Sequence, residues 1–499
     1  MLTLQARRLR GIWTMSIERR AAAGAFWSFG ATSAERAVGF VIFAVILHFV
    51  PVGDVGLVAL GSMLVELANT VAIGGAAERV IAADRGDTRS EAGSFWAQLL
   101  IALMLATLLW LGAPFAAGLY GEPRLVWVVR SLSAMILLNV LVVVPLATLT
   151  RDFRFRAVGL MSLGATLTGA ISALPLAIHG HGALALVVQR LAGVLFFVVA
   201  VTAVARWRPR ARIDLAELRS ALRFSLPLIG TNLVEYLART GFALIAGLRL
   251  DVVSIGYLRV AQRLLEVLQE VVVTSISRIF LPLFVSIRSD PARRYEVAKR
   301  IMGMMALTVI GCFAVAGAAA TPLIDTMFGL RLQPAAPVFT VLSALGPYIV
   351  VNAFLRPLLV SAGRRGQMLW VSALNALTTG VVAYLAVPYG LTALAAALVV
   401  RGFLAILLMA PLIRSVLGHS VAPLLSSLIV PIAGGVAARL AVLAVEQIIP
   451  ADWPGLLMLL AEGSVAAAIY AGVLLLCARS RSAEVIRLLQ RLISRAVPG

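Results

Sequence analysis

Charged side chains lie within long apolar stretches of this sequence, and their chemistry could define a function. Four of them are arginines that the surrounding residues place inside membrane-length segments: Arg36, Arg239, Arg259 and Arg263. A guanidinium keeps its proton and binds anions through a planar fork of N–H donors. A charge in hydrocarbon costs at least about 2.5 kcal/mol on insertion scales, so it usually faces a partner or a water-filled cavity. We therefore predict that these arginines line a cavity.

Carboxylates occur in the same segments. They are Glu35, Glu66, Glu235, Glu266 and Glu270. The last two share one helical face with Arg259 and Arg263, because the spacings along this run are four, three and four. We predict that the carboxylates orient the arginines, exchange with coupling ions such as H⁺ or Na⁺, or weaken anion binding enough for release.

A structural role is the alternative for these charges. Glu235 and Arg239 are four residues apart, so they could form an ion pair on one helix. Arg356 precedes Pro357 near the end of an apolar segment, where it could snorkel to the membrane surface or meet an incoming anion.

Other intramembrane charges are predicted to be structural. Arg190 and Arg401 each follow an Ala-Leu-Val-Val run and are expected to form ion pairs within a lobe. Arg439 and Glu462 are expected to pair with each other or to face the lobe.

The composition excludes an ordinary soluble protein. Of the 499 residues, 61% are hydrophobic, and the mean hydropathy is +0.98. The formal charge of +20 lies mostly in short loops beside apolar segments, where it orients the protein and meets anionic lipid, so no nucleic-acid partner is expected. The sequence has no metal-ligand spacing, nucleophile or phosphate-cradling motif, which predicts a non-enzyme without a metal or another cofactor.

Apolar segments of about 20 residues, long enough to span a bilayer as a helix, recur about fourteen times. The loops alternate between arginine-rich and arginine-poor, which by the positive-inside rule places both termini in the cytoplasm. The predicted spans are 24–49, 55–78, 94–118, 126–149, 157–178, 183–205, 222–247, 252–282, 301–322, 334–361, 367–387, 391–413, 423–446 and 455–478. They divide the chain into a cytoplasmic N-terminal segment (1–23), a first lobe (24–205), a cytoplasmic linker (206–221), a second lobe (222–413), two further helices (414–478) and a cytoplasmic amphipathic tail (479–499).

The sequence also contains an internal repeat. At a shift of 200 residues identical residues coincide: Gly30 with Gly230, Glu35 with Glu235, Gly56 with Gly256, and Glu66 with Glu266. Each repeat contains six predicted spans, so both run in the same direction through the membrane. Parallel repeats of this kind are an established transporter architecture.

Several stretches resemble one known family in sequence and in order. They are 51–81 (PVGDVGLVALGSMLVELANTVAIGGAAERVI), 94–96 (SFW), 114–121 (PFAAGLYG), 144–155 (VPLATLTRDFRF), 180–190 (GHGALALVVQR), 223–230 (RFSLPLIG), 255–263 (IGYLRVAQR) and 281–290 (LPLFVSIRSD). Over roughly residues 24–415 the chain resembles the polysaccharide transporters of the multidrug/oligosaccharidyl-lipid/polysaccharide flippase superfamily.

This resemblance implies an all-α integral membrane protein with two six-helix lobes in a V-shaped bundle around a central cationic cavity. It also implies an inner-membrane protein that exports undecaprenyl-pyrophosphate-linked oligosaccharides by alternating access for O-antigen, capsule or exopolysaccharide synthesis. Arg36, Arg239, Arg259, Arg263 and Arg356 would bind the pyrophosphate. The expected partners are the lipid-linked oligosaccharide, membrane lipids and the polysaccharide polymerase and chain-length machinery.

Three other functions compete with this interpretation. A cation-coupled multidrug exporter of the same superfamily is disfavoured because intramembrane arginines repel cationic drugs. A lipid II flippase is a close alternative that essentiality would distinguish. A membrane glycan polymerase or ligase needs substantial loops on the outer side, and the outer loops here are short.

Overall fold

The computed structural model describes residues 34–84, 87–208, 214–274, 280, 283–284, 287, 290–448 and 453–477. All regular secondary structure in these ranges is helical, which confirms the all-α prediction. Ten helices in these ranges are long and apolar enough to cross a membrane, and a bent pair gives an eleventh. The chain is a multi-pass membrane protein, and the count of fourteen stays a prediction. The predicted N-terminal segment (1–23) and tail (479–499) lie outside the described residues.

The helices are numbered in chain order. They are α1 (34–47), α2 (Val52–Ala72), α3 (Ala76–Ala82), α4 (Thr88–Tyr120), α5 (Leu125–Arg151), α6 (Phe155–Ile178), α7 (Gly182–Ala205), α8 (Leu215–Gly247), α9 (Val252–Leu268), α10 (Pro291–Met305), α11 (Gly311–Ala318), α12 (Ala320–Phe328), α13 (Ala335–Ser343), α14 (Gly346–Ser361), α15 (Arg365–Ala386), α16 (Leu391–Leu417), α17 (Ala422–Leu425), α18 (Ile429–Glu446) and α19 (Gly455–Cys477).

The chain divides into two compact units. The described part of the first lies within Met1–Thr240 and Asp251–Gly256, and that of the second within Gly241–Leu250 and Tyr257–Gly499. The division falls inside α8, between Thr240 and Gly241. Because α8 begins at Leu215, the predicted linker 206–221 includes the first residues of this helix.

In the first unit α5 is the central helix and packs against α2, α3, α4 and α7. Leu125, Val128, Val129, Leu132 and Ile136 of α5 are all fully buried. Their helical spacing makes one continuous apolar face, which is why α5 occupies the centre while α4 and α6 expose apolar side chains on their outer faces.

An aspartate fixes the start of α7 in the first unit. Oδ2 of Asp54 accepts a hydrogen bond from the amide of Ala183 at 3.0 Å, and Oδ1 pairs with Arg124. A Cβ on Gly182 would collide with the same carboxylate. Asp54 and Gly182 belong to two stretches of the family resemblance, and this contact gives both a structural reason.

The repeat-related Gly56 and Gly256 meet where α2 passes the first turn of α9. A Cβ on Gly56 would collide with the carbonyl oxygen of Val252, and a Cβ on Gly256 would collide with that of Val52. Only residues without a side chain permit this backbone approach.

Replacing Gly56 with alanine is expected to lower stability by about 1–3 kcal/mol, the usual cost of overpacking, because only separation of the two backbones relieves the collision. The thermal unfolding midpoint of the purified protein in detergent measures this. Gly112 is the matched control, since a Cβ there meets nothing within 4 Å. A G56A protein that unfolds no earlier than G112A would contradict the packing account.

In the second unit α16 packs against α13, α14 and α15, while the hairpin of α18 and α19 packs on α11. The predicted span 334–361 is two helices, α13 and α14, which meet at a bend of 51°. Pro347 stands in the first turn of α14, where its missing amide hydrogen costs least.

Candidate functional site

Two helices of the first unit bring together Glu66 and Arg190. Glu66 lies on α2, and its Oε1 is 3.0 Å from Nη1 of Arg190 on α7. The two side chains are 50% and 32% exposed, respectively. The expected ion pair of Arg190 within a lobe is therefore present, and it lies on an accessible surface.

Helix α8 adds Tyr236 and Arg239 to the surroundings of the Glu66–Arg190 ion pair. Tyr236 is buried and donates its hydroxyl to the carbonyl oxygen of Met63 at 2.8 Å. It lies within electrostatic range of Glu66, Arg190 and Arg239. Sequence patterns assign no role to Tyr236, because a tyrosine on an apolar helix usually belongs to the core. These three charged residues with Tyr236 form a polar cluster in the first unit that carries one net positive charge.

Glu35, Arg36 and Glu235 complete the predicted set in the first unit. Glu35 and Arg36 lie on α1, where Arg36 is exposed and Glu35 is half-buried. Glu235 lies on α8, is half-buried and immediately precedes the buried Tyr236.

The second unit holds two arginines and one carboxylate on α9. Glu266 accepts a hydrogen bond from Arg259 at 2.8 Å and from Arg263 at 3.2 Å. The arginine side chains are 26% and 18% exposed, and Glu266 is 40% exposed. Three of the four residues predicted to share a face are thus joined by ion pairs. We call them the α9 cluster, and its net charge is again positive.

Glu270 and Arg356 are the remaining predicted residues of the second unit. Helix α9 ends at Leu268, and Glu270 follows in a π-helical turn, Gln269–Thr274, where α-helical spacing no longer applies. Arg356 is exposed on α14, one residue before Pro357.

Arg401 and Arg439 of the second unit have structural partners. Arg401 is buried, donates to Oδ1 of Asn375 at 3.0 Å, and lies 4.8 Å from the ring centre of Tyr348. It was expected to form an ion pair, but an amide and an aromatic face take the place of the carboxylate. Arg439 pairs with Glu446 at 3.1 Å on its own helix. Pairing with Glu462 was one of the two predicted alternatives, and Glu446 takes that place.

One buried and one half-buried ion pair also occur at the arginine-rich end of the first unit. Glu91 on α4 is 2.9 Å from Arg151 at the end of α5 and accepts a hydrogen bond from Nε1 of Trp207 at 2.9 Å. Arg79 on α3 pairs with Glu217 on α8 at 2.7 Å. The sequence indicated only that these arginines orient the protein. The acidic partners are distant in sequence, so spacing could not reveal them.

The described ranges hold no group of three His, Cys, Asp or Glu side chains arranged to bind a metal ion. Cys312 on α11 and Cys477 on α19 are free thiols. Both clusters present guanidinium groups, which bind anions, and carboxylate groups, which exchange protons or cations.

Known proteins are similar to this chain in sequence. Residues 48–337 match the polysaccharide biosynthesis protein family. The succinoglycan biosynthesis transport protein ExoT of Rhizobium meliloti (strain 1021) is 24% identical over 361 residues, which cover 72% of this chain and 73% of that protein. The teichuronic acid biosynthesis protein TuaB of Bacillus subtilis (strain 168) is 21% identical over 352 residues, 66% of this chain and 69% of that protein.

Solved structures share the fold. The lipid II flippase MurJ in an inward closed conformation gives a TM-score of 0.73 at 13% identity, covering 90% of this chain and 98% of MurJ. An inward-facing multidrug resistance MATE family transporter of the MOP superfamily gives 0.59 at 14% identity, covering 77% and 94%. The fold is thus that of the superfamily recognised in the sequence.

These relatives include a transport protein, a flippase and a transporter, so the prediction of a non-enzyme is confirmed. The family match covers more than half of the chain and extends from the first repeat into the second. The chain belongs to the polysaccharide biosynthesis protein family.

Proposed function

We propose that this protein moves undecaprenyl-pyrophosphate-linked oligosaccharide repeat units across the bacterial inner membrane by alternating access, with both termini in the cytoplasm. The family and the transport role of ExoT support a polysaccharide substrate. The completed units would pass to the polymerase and chain-length machinery that assembles O-antigen, capsule or exopolysaccharide.

The α9 cluster is the observation that carries this proposal. A pyrophosphate linked to lipid and sugar is an anion, and Arg259 and Arg263 present two guanidinium groups on one helical face. Both engage Glu266 through Nη1, so the carboxylate orients them while their other N–H donors can bind phosphate oxygens. One carboxylate for two arginines leaves a positive charge, which disfavours a cationic drug.

The polar cluster of the first unit supports the same chemistry. Arg239 and the Glu66–Arg190 pair combine positive charge with a carboxylate. We propose that Arg36 and Arg356 contribute further cationic contacts. Glu35, Glu66, Glu235, Glu266 and Glu270 are the candidates for coupling to H⁺ or Na⁺. Collapsing each ion gradient separately in an export assay would identify the ion.

A deletion strain tests the proposed function. Its lipids are extracted, undecaprenyl-pyrophosphate-linked oligosaccharides are quantified by mass spectrometry, and surface polysaccharide is assayed alongside. Accumulation of complete repeat units with loss of surface polymer is expected, and a plasmid copy should reverse both.

Other results of the same experiment would favour other functions. Accumulated lipid II with loss of viability would indicate a lipid II flippase. Intact surface polymer with increased drug susceptibility would indicate a multidrug exporter. Either result would contradict the proposal.

A further inference from the structure

Glu462 is a buried carboxyl group that none of the roles above uses. It lies on α19 and is only 1% exposed. It is the eighth residue of this helix, so it lies about 10 Å along the axis from the first residue, at 1.5 Å per residue. Within the described residues, its Oε2 atom has no hydrogen-bond partner.

The nearby guanidinium is already engaged. Nη1 of Arg439 donates to the carbonyl oxygen of Ala318 at 2.8 Å and to Oε1 of Glu446 at 3.1 Å. Ala318 is the last residue of α11, so Arg439 satisfies a carbonyl group at a helix C-terminus, where a positive charge is favourable. Because Glu446 balances the charge of Arg439, Glu462 lies near a pair with no net charge.

The helices packed against α19 offer no other cation in the described residues. These helices are α11, α12 and α18. Apart from Arg439 and Glu446, their titratable groups near α19 are Cys312 on α11 and Asp325 on α12. Burial raises the pKa of Asp325, whose Oδ1 also has no partner among the described residues. The described residues around Glu462 do not include a group of three His, Cys, Asp or Glu side chains that could hold a metal ion, so we assign a proton to this position.

We propose that Glu462 is a proton-binding site, held as a neutral carboxylic acid within the hairpin of α18 and α19. An ionised carboxylate without a partner is strongly disfavoured in an apolar interior, so a carboxyl group buried in this way is more stable when it is protonated. If the proton leaves to solvent, the carboxylate needs Arg439, which must then leave Glu446 or the end of α11. Proton binding and the docking of the hairpin on α11 are therefore linked. This inference does not rest on the proposed substrate.

Infrared spectroscopy of the protein in lipid nanodiscs tests the protonation state. Glu462→Gln keeps the shape of the protonated acid and adds no charge. At neutral pH the difference between wild type and E462Q is expected to show the C=O stretching band of a protonated carboxylic acid. Asp325 is present in both proteins, so its signal cancels. A difference spectrum that shows an ionised carboxylate would overturn the proposal.

The pH dependence of stability gives a second, independent measurement. The folded protein holds a proton that an unfolded glutamate releases above about pH 4.3. The wild-type unfolding midpoint should therefore fall as pH rises from there, and E462Q should reduce this dependence. Glu462→Met, which removes the acid altogether, should behave like E462Q. Glu78→Gln, at an exposed glutamate of α3, should keep the wild-type dependence. Equal slopes in the wild type, E462Q and E462M would overturn the proposal.

Discussion

Replacing Arg151 with methionine is expected to destabilise the protein by about 3–5 kcal/mol, the usual cost of removing one partner of a buried ion pair. Glu91 is 4% exposed and would keep only the hydrogen bond from Trp207. The ionised carboxylate would then be buried without its cation. The measurement is the thermal unfolding midpoint of the purified protein in detergent.

Two further variants separate this explanation from general damage. The double variant R151M/E91Q removes both charges and should recover most of the stability, because a neutral pair carries no uncompensated charge. Arg124 pairs with Asp54 but its side chain is 55% exposed, so R124M should cost at most about 1 kcal/mol. A double variant no more stable than R151M would contradict the account.

The second large effect concerns transport. The double variant R259Q/R263Q is expected to abolish export of surface polysaccharide while the protein accumulates normally. A hydrogen bond to a charged group contributes about 1.5–3 kcal/mol, so losing even one such contact weakens binding by about 10- to 100-fold. Complementation of the deletion strain, with surface polymer and protein level measured together, gives the result.

Conservative and distant variants control this experiment. R259K/R263K keeps both charges but loses the planar fork, so intermediate export is expected. Arg293 is exposed on α10 of the same unit, so R293Q removes a positive charge away from the cluster and should export normally. Wild-type export by R259Q/R263Q would remove the α9 cluster from the substrate site.

Much of the fold follows from local sequence. Apolar runs near 20 residues predicted helices such as 126–149 and 183–205, which the structure places within α5 and α7. Spacing also predicted the shared face of Arg259, Arg263 and Glu266, because one helix fixes all three positions. The predicted span 222–247 likewise lies within α8, which is a continuous helix although Glu235 and Arg239 interrupt its apolar sequence.

Partners from distant segments could not be predicted. Glu66 meets Arg190 across 124 residues and Arg79 meets Glu217 across 138, and only the packed helices bring each pair together. The π-helical turn that carries Glu270 has no signal in the spacing of charged residues. The burial of Glu91 was missed because a glutamate in the first turn of a helix usually faces solvent.

Reconstituted transport tests the central claim most directly. Lipid-linked oligosaccharide purified from the deletion strain is incorporated into proteoliposomes with the purified protein, and its appearance on the opposite leaflet is followed by a sugar-binding probe. The account predicts movement with wild-type protein and with R293Q, and none with R259Q/R263Q. Movement of lipid II or of a cationic drug, but not of the lipid-linked oligosaccharide, by the wild-type protein would contradict it.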